Sequence, residues 1–140
     1  MKAAVLFPDA AAAAAGILRS ALGARPEPYA TGATVATRVP ASRTPEAPHL
    51  PLVLVAVDDA TPAPSRLNAQ VLLRISVWHA DADQAHDLAQ LAAALLHTAG
   101  GPVIRSTRPG TGPVPGVDQD SGVDLATCTL TANIAPTPLI

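Results

Sequence analysis

The stretch from Val71 to Gly101, VLLRISVWHADADQAHDLAQLAAALLHTAGG, constrains the fold more than any other part of the chain. Its first portion alternates. Val71, Leu73, Ile75 and Val77 fall on one face of a strand, while Leu72, Arg74, Ser76 and Trp78 fall on the other. The alternation ends at His79. Asp81 then stands where a helix needs an N-cap, and Gln84 follows at the capping-box spacing. Beyond it Ala85, Leu88, Leu91, Ala92, Leu95 and Leu96 recur at helical spacing, and Gly100-Gly101 stops the helix. A strand from Ala69 to His79 therefore hands over directly to a helix, with the odd-numbered strand positions as core.

The same arguments extend to the rest of the chain. Asp9 is a good N-cap for a helix from Ala10 to Leu22, with Ile17, Leu18 and Leu22 as its apolar stripe and Gly23 as its stop. The alanine face of this helix is narrow and suits close packing on a sheet or a neighbouring subunit. Ala24 to Thr34 reads as irregular, Val35 to Val39 as a short strand, and Ala41 to Pro51 as a loop. Leu52 to Val57 is apolar on both faces, the pattern of a strand covered on each side, by a helix layer and by a partner. Asp58 to Asn68 reads as a loop or extended hairpin tip. Val103 to Arg108 is a short strand and Pro109 to Gly122 a long Pro/Gly/Asp-rich loop. The last strand spans Val123 to Ile134, with Ala126, Cys128, Leu130, Ala132 and Ile134 inward and threonines outward, and Pro136 and Pro138 end it.

The resulting order is α-β-β-β-α-β-β. It predicts a single α+β domain of two layers, a mostly antiparallel sheet with two helices packed on one face. A length of 140 residues suits one core, and a hydrophobic content of 49% with 14% charged residues argues against disorder throughout.

Composition also excludes several function classes. The net charge is -2, and Phe7, Tyr29 and Trp78 are the only aromatics, so neither a basic stripe nor a stacking platform for nucleic acid is present. No run approaches the roughly 20 apolar residues of a membrane span. Pro8-Asp9 breaks the N-terminal apolar run too early for a signal peptide, so the expectation is a soluble protein, cytosolic when made. The single cysteine, Cys128, allows no intrachain disulfide and reads as a small buried residue. The dominance of Arg over Lys, with abundant Ala, Pro and Gly, is the usage expected of a high-GC genome.

Few residues invite a chemical reading. His79, Asp81, Asp83 and His86 include zinc-ligand types, but the acids lie where a helix start needs them and the histidines lack the i, i+4 spacing of a helical metal pair. His97 belongs to a last helical turn, which favours a cation. No serine sits in a G-x-S-x-G turn. Gly110, Gly112 and Gly116 do not match a phosphate loop, and Asp118, Asp120 and Asp124 do not match an EF-hand. No catalytic, cofactor or metal site is expected. Arg74 and Trp78 share the strand face opposite the core set, which fits either a subunit contact or a half-exposed pair under a loop.

Four motifs, taken in order, carry a resemblance. F-P-D-A at Phe7–Ala10 opens the first helix, and T-R-V-P at Thr37–Pro40 follows. An apolar strand comes next at Leu52–Val57. V-W-H-A at Val77–Ala80 then leads into A-H-D-L-A-Q-L-A-A-A-L-L at Ala85–Leu96, before a glycine stop and a long final strand. In this order and spacing, over nearly its whole length, the chain resembles the tail terminator family of long-tailed bacteriophages.

The resemblance implies a structural virion protein of the tail and neck, made in the host cytoplasm. It implies a homo-hexameric ring that caps the completed tail tube, stops its polymerisation and offers a surface to the head–tail connector or head-closure protein. Its partners would be its own copies, the tail tube protein and the connector, with no enzyme activity, no cofactor, no sequence-specific nucleic acid and no membrane. Loops 41–51, 58–68 and 109–122 would make the contacts, with Arg43, Arg66, Arg108, Asp118 and Asp120 as the charged positions to test, beside Arg74 and Trp78. A head-closure or connector protein of the neck is the near alternative. A small non-viral ligand-binding α+β domain, which would need a pocket of convergent polar groups, is the distant one.

Overall fold

The structure, a computed structural model, describes residues 5–40, 50–65, 68–99 and 101–138. Arg43 and Arg66, and with them most of the expected loop 41–51, lie outside the described residues.

The chain opens with a two-residue strand β1 (Val5–Leu6) and helix α1 (Ala10–Gly23). A 3-10 turn (Pro28–Ala30) leads to β2 (Thr34–Ala36), then to the long strands β3 (Leu52–Ser65) and β4 (Asn68–His79). Helix α2 (Ala82–Thr98) is followed by β5 (Ile104–Pro109), β6 (Val114–Val117), β7 (Asp124–Ile134) and β8 (Thr137–Pro138). The main sheet has the order β2-β3-β4-β7-β5, with β6 also on β7, and β1 pairs with β8 apart from it. Every pairing is antiparallel except β2 with β3. This is the expected two-layer α+β domain.

Both helices start where their caps are. The Asp9 carboxylate accepts from the Ala12 N–H at 3.1 Å, and the Asp81 carboxylate from the Asp83 N–H at 3.0 Å. Such caps are each worth about 1 kcal/mol. The Asp81 N–H goes to His79 Nδ1 at 3.4 Å, the place that a capping box gives to Gln84.

The core lies between the helices and one face of the sheet. Leu73, Ile75 and Val77 of β4 meet Val53 and Val55 of β3 on one side, and Ala126, Cys128, Leu130, Ala132 and Ile134 of β7 on the other. Ala14, Ala15 and Leu18 of α1 and Leu88, Ala89 and Ala92 of α2 close over them. The alanine face of α1 is thus spent on the sheet, where its small side chains let the helix axis approach closely. Burying each of the larger side chains contributes about 1.5–3 kcal/mol.

The strand ends decide between expectations. Of the two readings of 58–68, the extended hairpin holds and the loop does not: β3 continues to Ser65 and β4 begins at Asn68. The 109–122 segment holds the strand β6, and β5 and β6 both lie along β7 as one edge interrupted at Gly110–Pro113. Proline-bearing edge strands are possible because the missing N–H can point away from the ladder. The last long strand does stop at Ile134, before Pro136 as expected, and Thr137 and Pro138 then pair with Leu6 and Val5 as a separate short strand.

The interruption is built on glycine. A side chain at Gly110 would run into Thr129, with a Cβ only 2.6 Å from its carbonyl oxygen. Gly112 has φ +87° and packs against Thr127 and Cys128. Thr111 fills the resulting bulge by hydrogen bonding: its N–H donates to Thr129 Oγ1 at 2.9 Å, and its carbonyl accepts from the Thr129 N–H at 2.9 Å.

Candidate functional site: the open sheet face and its edges

The strands that place Leu73, Ile75 and Val77 toward the helices place their neighbours on the opposite face. At one end of that face Leu52, Trp78 and Leu125 form a row across β3, β4 and β7. Leu52 is fully buried and Trp78 is 9% exposed. Further along come rows of Leu54, Ser76 and Thr127, then Ala56, Arg74 and Thr129, then Leu72 and Thr131. Leu54, Ala56, Leu72, Ser76 and the three threonines are half-buried and Arg74 is exposed.

The two residues singled out on this face have different roles. Trp78 donates its indole N–H to Asp118 Oδ2 at 2.8 Å. Asp118 lies just beyond β6, so this bond closes the β6–β7 connection over the sheet. Its other oxygen accepts from the Asp120 N–H at 3.0 Å, and its main chain bonds to Val123 and Gly122. Trp78 and Asp118, expected as contact residues, are therefore partners of each other within one protomer. Arg74 stays at the surface, 3.4 Å from the Asp58 carboxylate. An ion pair this exposed adds little stability. Arg108 is exposed on β5, and Asp120 is exposed in the turn that Asp118 organises. The described contact candidates do not converge on one point.

Two histidines, His79 and His97, tie elements together. His79 is 8% exposed, and Asp81 N–H donates to its Nδ1, so Nε2 carries the proton and donates to the Tyr29 carbonyl at 3.1 Å. It ties the end of β4 to the 3-10 turn. His97, in the last turn of α2, bonds to the Thr107 hydroxyl of β5. Among the described residues no group of three or more His, Cys, Asp or Glu is placed to hold a metal ion. Cys128 is 3% exposed, its thiol reaches the Ala89 carbonyl at 3.8 Å, and burial pushes its pKa up to about 11.

Open cavities lie at two places among the described residues. The larger, about 500 Å³, lies between the end of α1 and β2. It holds two arginines, but Arg19 Nε donates to the Val35 carbonyl at 3.0 Å and Arg25 pairs with Glu27. The smaller, about 250 Å³, lies between α2 and the Gly110–Pro113 bulge and is walled by small residues beside His97. Neither gathers convergent polar groups. No helix among the described residues is long and apolar enough to cross a membrane.

What sequence reasoning missed is the pair of sheet edges. On one side, among the described residues, β3 has a strand neighbour only at Leu52–Leu54, where β2 pairs with it. On the other side β5 and β6 form the margin. Asp58-Asp59 immediately after an apolar run was the available signal for the first edge, and it reads equally well as a loop. The architecture defines a two-layer α+β domain whose two helices lie on one face of the sheet. Compared with models of known protein families and with curated proteins, the chain matches none.

Proposed function

We propose that this chain is a tail terminator of a long-tailed bacteriophage. It is a structural, non-catalytic protein of the tail and neck, assembled after synthesis in the host cytoplasm. Copies associate as a hexameric ring on the end of the finished tail tube. The ring stops addition of further tube protein because it occupies the growing end without offering an equivalent surface, and its far side receives the head connector.

Besides the order of motifs along the chain, one observation supports this reading. The helices cover a single face of the sheet, and the other face carries half-buried Leu54, Ala56 and Leu72 among hydroxyl side chains. Such a face gains by being covered. Mixed apolar and hydroxyl surface with a few charges is ordinary protein-contact chemistry. Ring symmetry requires that each copy present two different surfaces to its neighbours, since head-to-tail contacts close into a ring only when the rotation does.

Native mass spectrometry of the purified chain, alone and bound to isolated tail tubes, tests the assembly. A hexamer supports the terminator. A dodecamer would move the protein to the connector side of the neck, and a strict monomer under both conditions contradicts the ring.

A further inference from the structure

The two margins of the main sheet differ in charge and are in register with each other. Asp59 of β3 stands opposite Leu72 of β4, Leu72 opposite Thr131 of β7, and Thr131 opposite Arg108 of β5. One row of backbone therefore crosses the whole sheet, from an acidic position at one edge to a basic position at the other. Asp58, 3.4 Å from Arg74 of the same protomer, adds a second acid beside the first, and Arg105 a second base within β5. Arg108 and Arg105 are both exposed. Neither edge has a further strand on its outer side among the described residues, past Leu54 on β3 or along β5.

Resting on the ring reading above, we propose that these two edges are the halves of one contact between copies of this chain. The β5 edge of one protomer lies along the β3 edge of the next, with Arg108 facing Asp58 and Asp59. Strand direction allows it. Each step from β3 to β4, β7 and β5 is antiparallel, so β5 runs opposite to β3 and a neighbour set sideways presents an antiparallel partner.

Prolines limit the joint. Pro62 and Pro64 on β3, and Pro109 on β5, lack the N–H that a ladder needs, so pairing is confined to about Val55–Thr61 against Ile104–Arg108. Charge also selects the mode. Two acidic β3 edges repel each other, as do two basic β5 edges, while the mixed joint attracts; indiscriminate edge pairing is suppressed and head-to-tail pairing kept. Exposed apolar side chains accompany both edges. Val57 on β3 is 46% exposed, and Val114 and Val117 on β6 are 56% and 60% exposed.

The test uses two variants of the full chain, D59R and R108D, each first shown to fold by circular dichroism and thermal melting. In native mass spectrometry each alone should lose self-association, with dissociation raised on the order of tenfold or more. Mixed one to one they should reassemble, because D59R has Arg at both 59 and 108 while R108D has Asp at both, so these two positions are complementary only between unlike copies. The expected complex holds equal numbers of the two. Variants that assemble as well as the wild type, or a mixture of folded variants that does not reassemble, would overturn the edge contact, as would a wild type monomeric both in solution and on tubes.

Tube length reads the parent function separately. A mixture that reassembles yet leaves tube length unregulated keeps the edge contact and removes the capping role. An oligomeric, length-controlling wild type indifferent to both substitutions does the reverse.

Discussion

Trp78 and Asp118 lie 40 positions apart and meet through a 2.8 Å hydrogen bond from the indole N–H to the carboxylate. The bond joins the end of β4 to the turn after β6, and so pins the outermost strand on that side of β7 to the middle of the sheet. Replacing Asp118 with Ala removes both this bond and the one from Asp120 N–H. A charge-assisted hydrogen bond at a buried group is worth about 1.5–3 kcal/mol, so D118A should lower unfolding stability by that order and D118N by less. Urea denaturation followed by the fluorescence of Trp78, the only tryptophan, measures it; an unchanged midpoint with an unchanged spectrum would mean the bond contributes nothing.

The Gly110–Pro113 bulge should tolerate no side chain at its second glycine. Gly112 combines φ +87° with a Cβ position 2.9 Å from Cys128 Cα, so G112A should cost roughly 2 kcal/mol or more. At Gly116 a Cβ meets nothing within 4 Å. G116A is therefore the matched control on β6, expected to melt close to the wild type.

Cys128 should be silent to thiol reagents at neutral pH in the folded protein and react fully once unfolded. Its folded pKa, about 11, lies above the ordinary value of 9.0 because burial disfavours the thiolate. A raised pKa means that the folded state holds the proton longer than the unfolded chain does. The stability it contributes is complete below about pH 9 and is lost as pH rises toward about 11. In C128A the part of the alkaline stability loss due to this group should vanish, while rapid labelling of native wild type at pH 7 would contradict the buried placement.

His79 is expected to matter for stability and not for any metal. H79L removes the bonds to the Tyr29 carbonyl and from the Asp81 N–H, at a cost of about 1–3 kcal/mol. Thermal melting with and without added zinc checks both statements, and a zinc-dependent rise in the wild type that H79L abolishes would reverse the assignment.

How much of this was legible beforehand depends on the kind of signal. β4 and α2 were readable because side-chain period switches from two to helical at His79, and the helix start is capped by an aspartate, Asp81. α1 and the inward set of β7 were readable for the same reason. β6, V-P-G-V, has no period to detect and hides in a Pro/Gly-rich stretch; only its pairing with β7 makes it a strand. The extension of β3 to Ser65 carries two acids and two prolines, a composition typical of loops, and is held by the ladder with β4. The candidate site shows the same limit. Arg74 was placed on the correct face, but the pairing of Trp78 with Asp118 and the cross-sheet row from Asp59 to Arg108 are long-range facts that no local pattern encodes.

The central claim is tube capping, and tail length measured by electron microscopy tests it most directly. Particles assembled without this chain should carry tubes of uncontrolled length and fail to join heads, and restoring it should return one sharp length and joined particles. Tubes of the same defined length, joined to heads, with or without the protein would contradict the account.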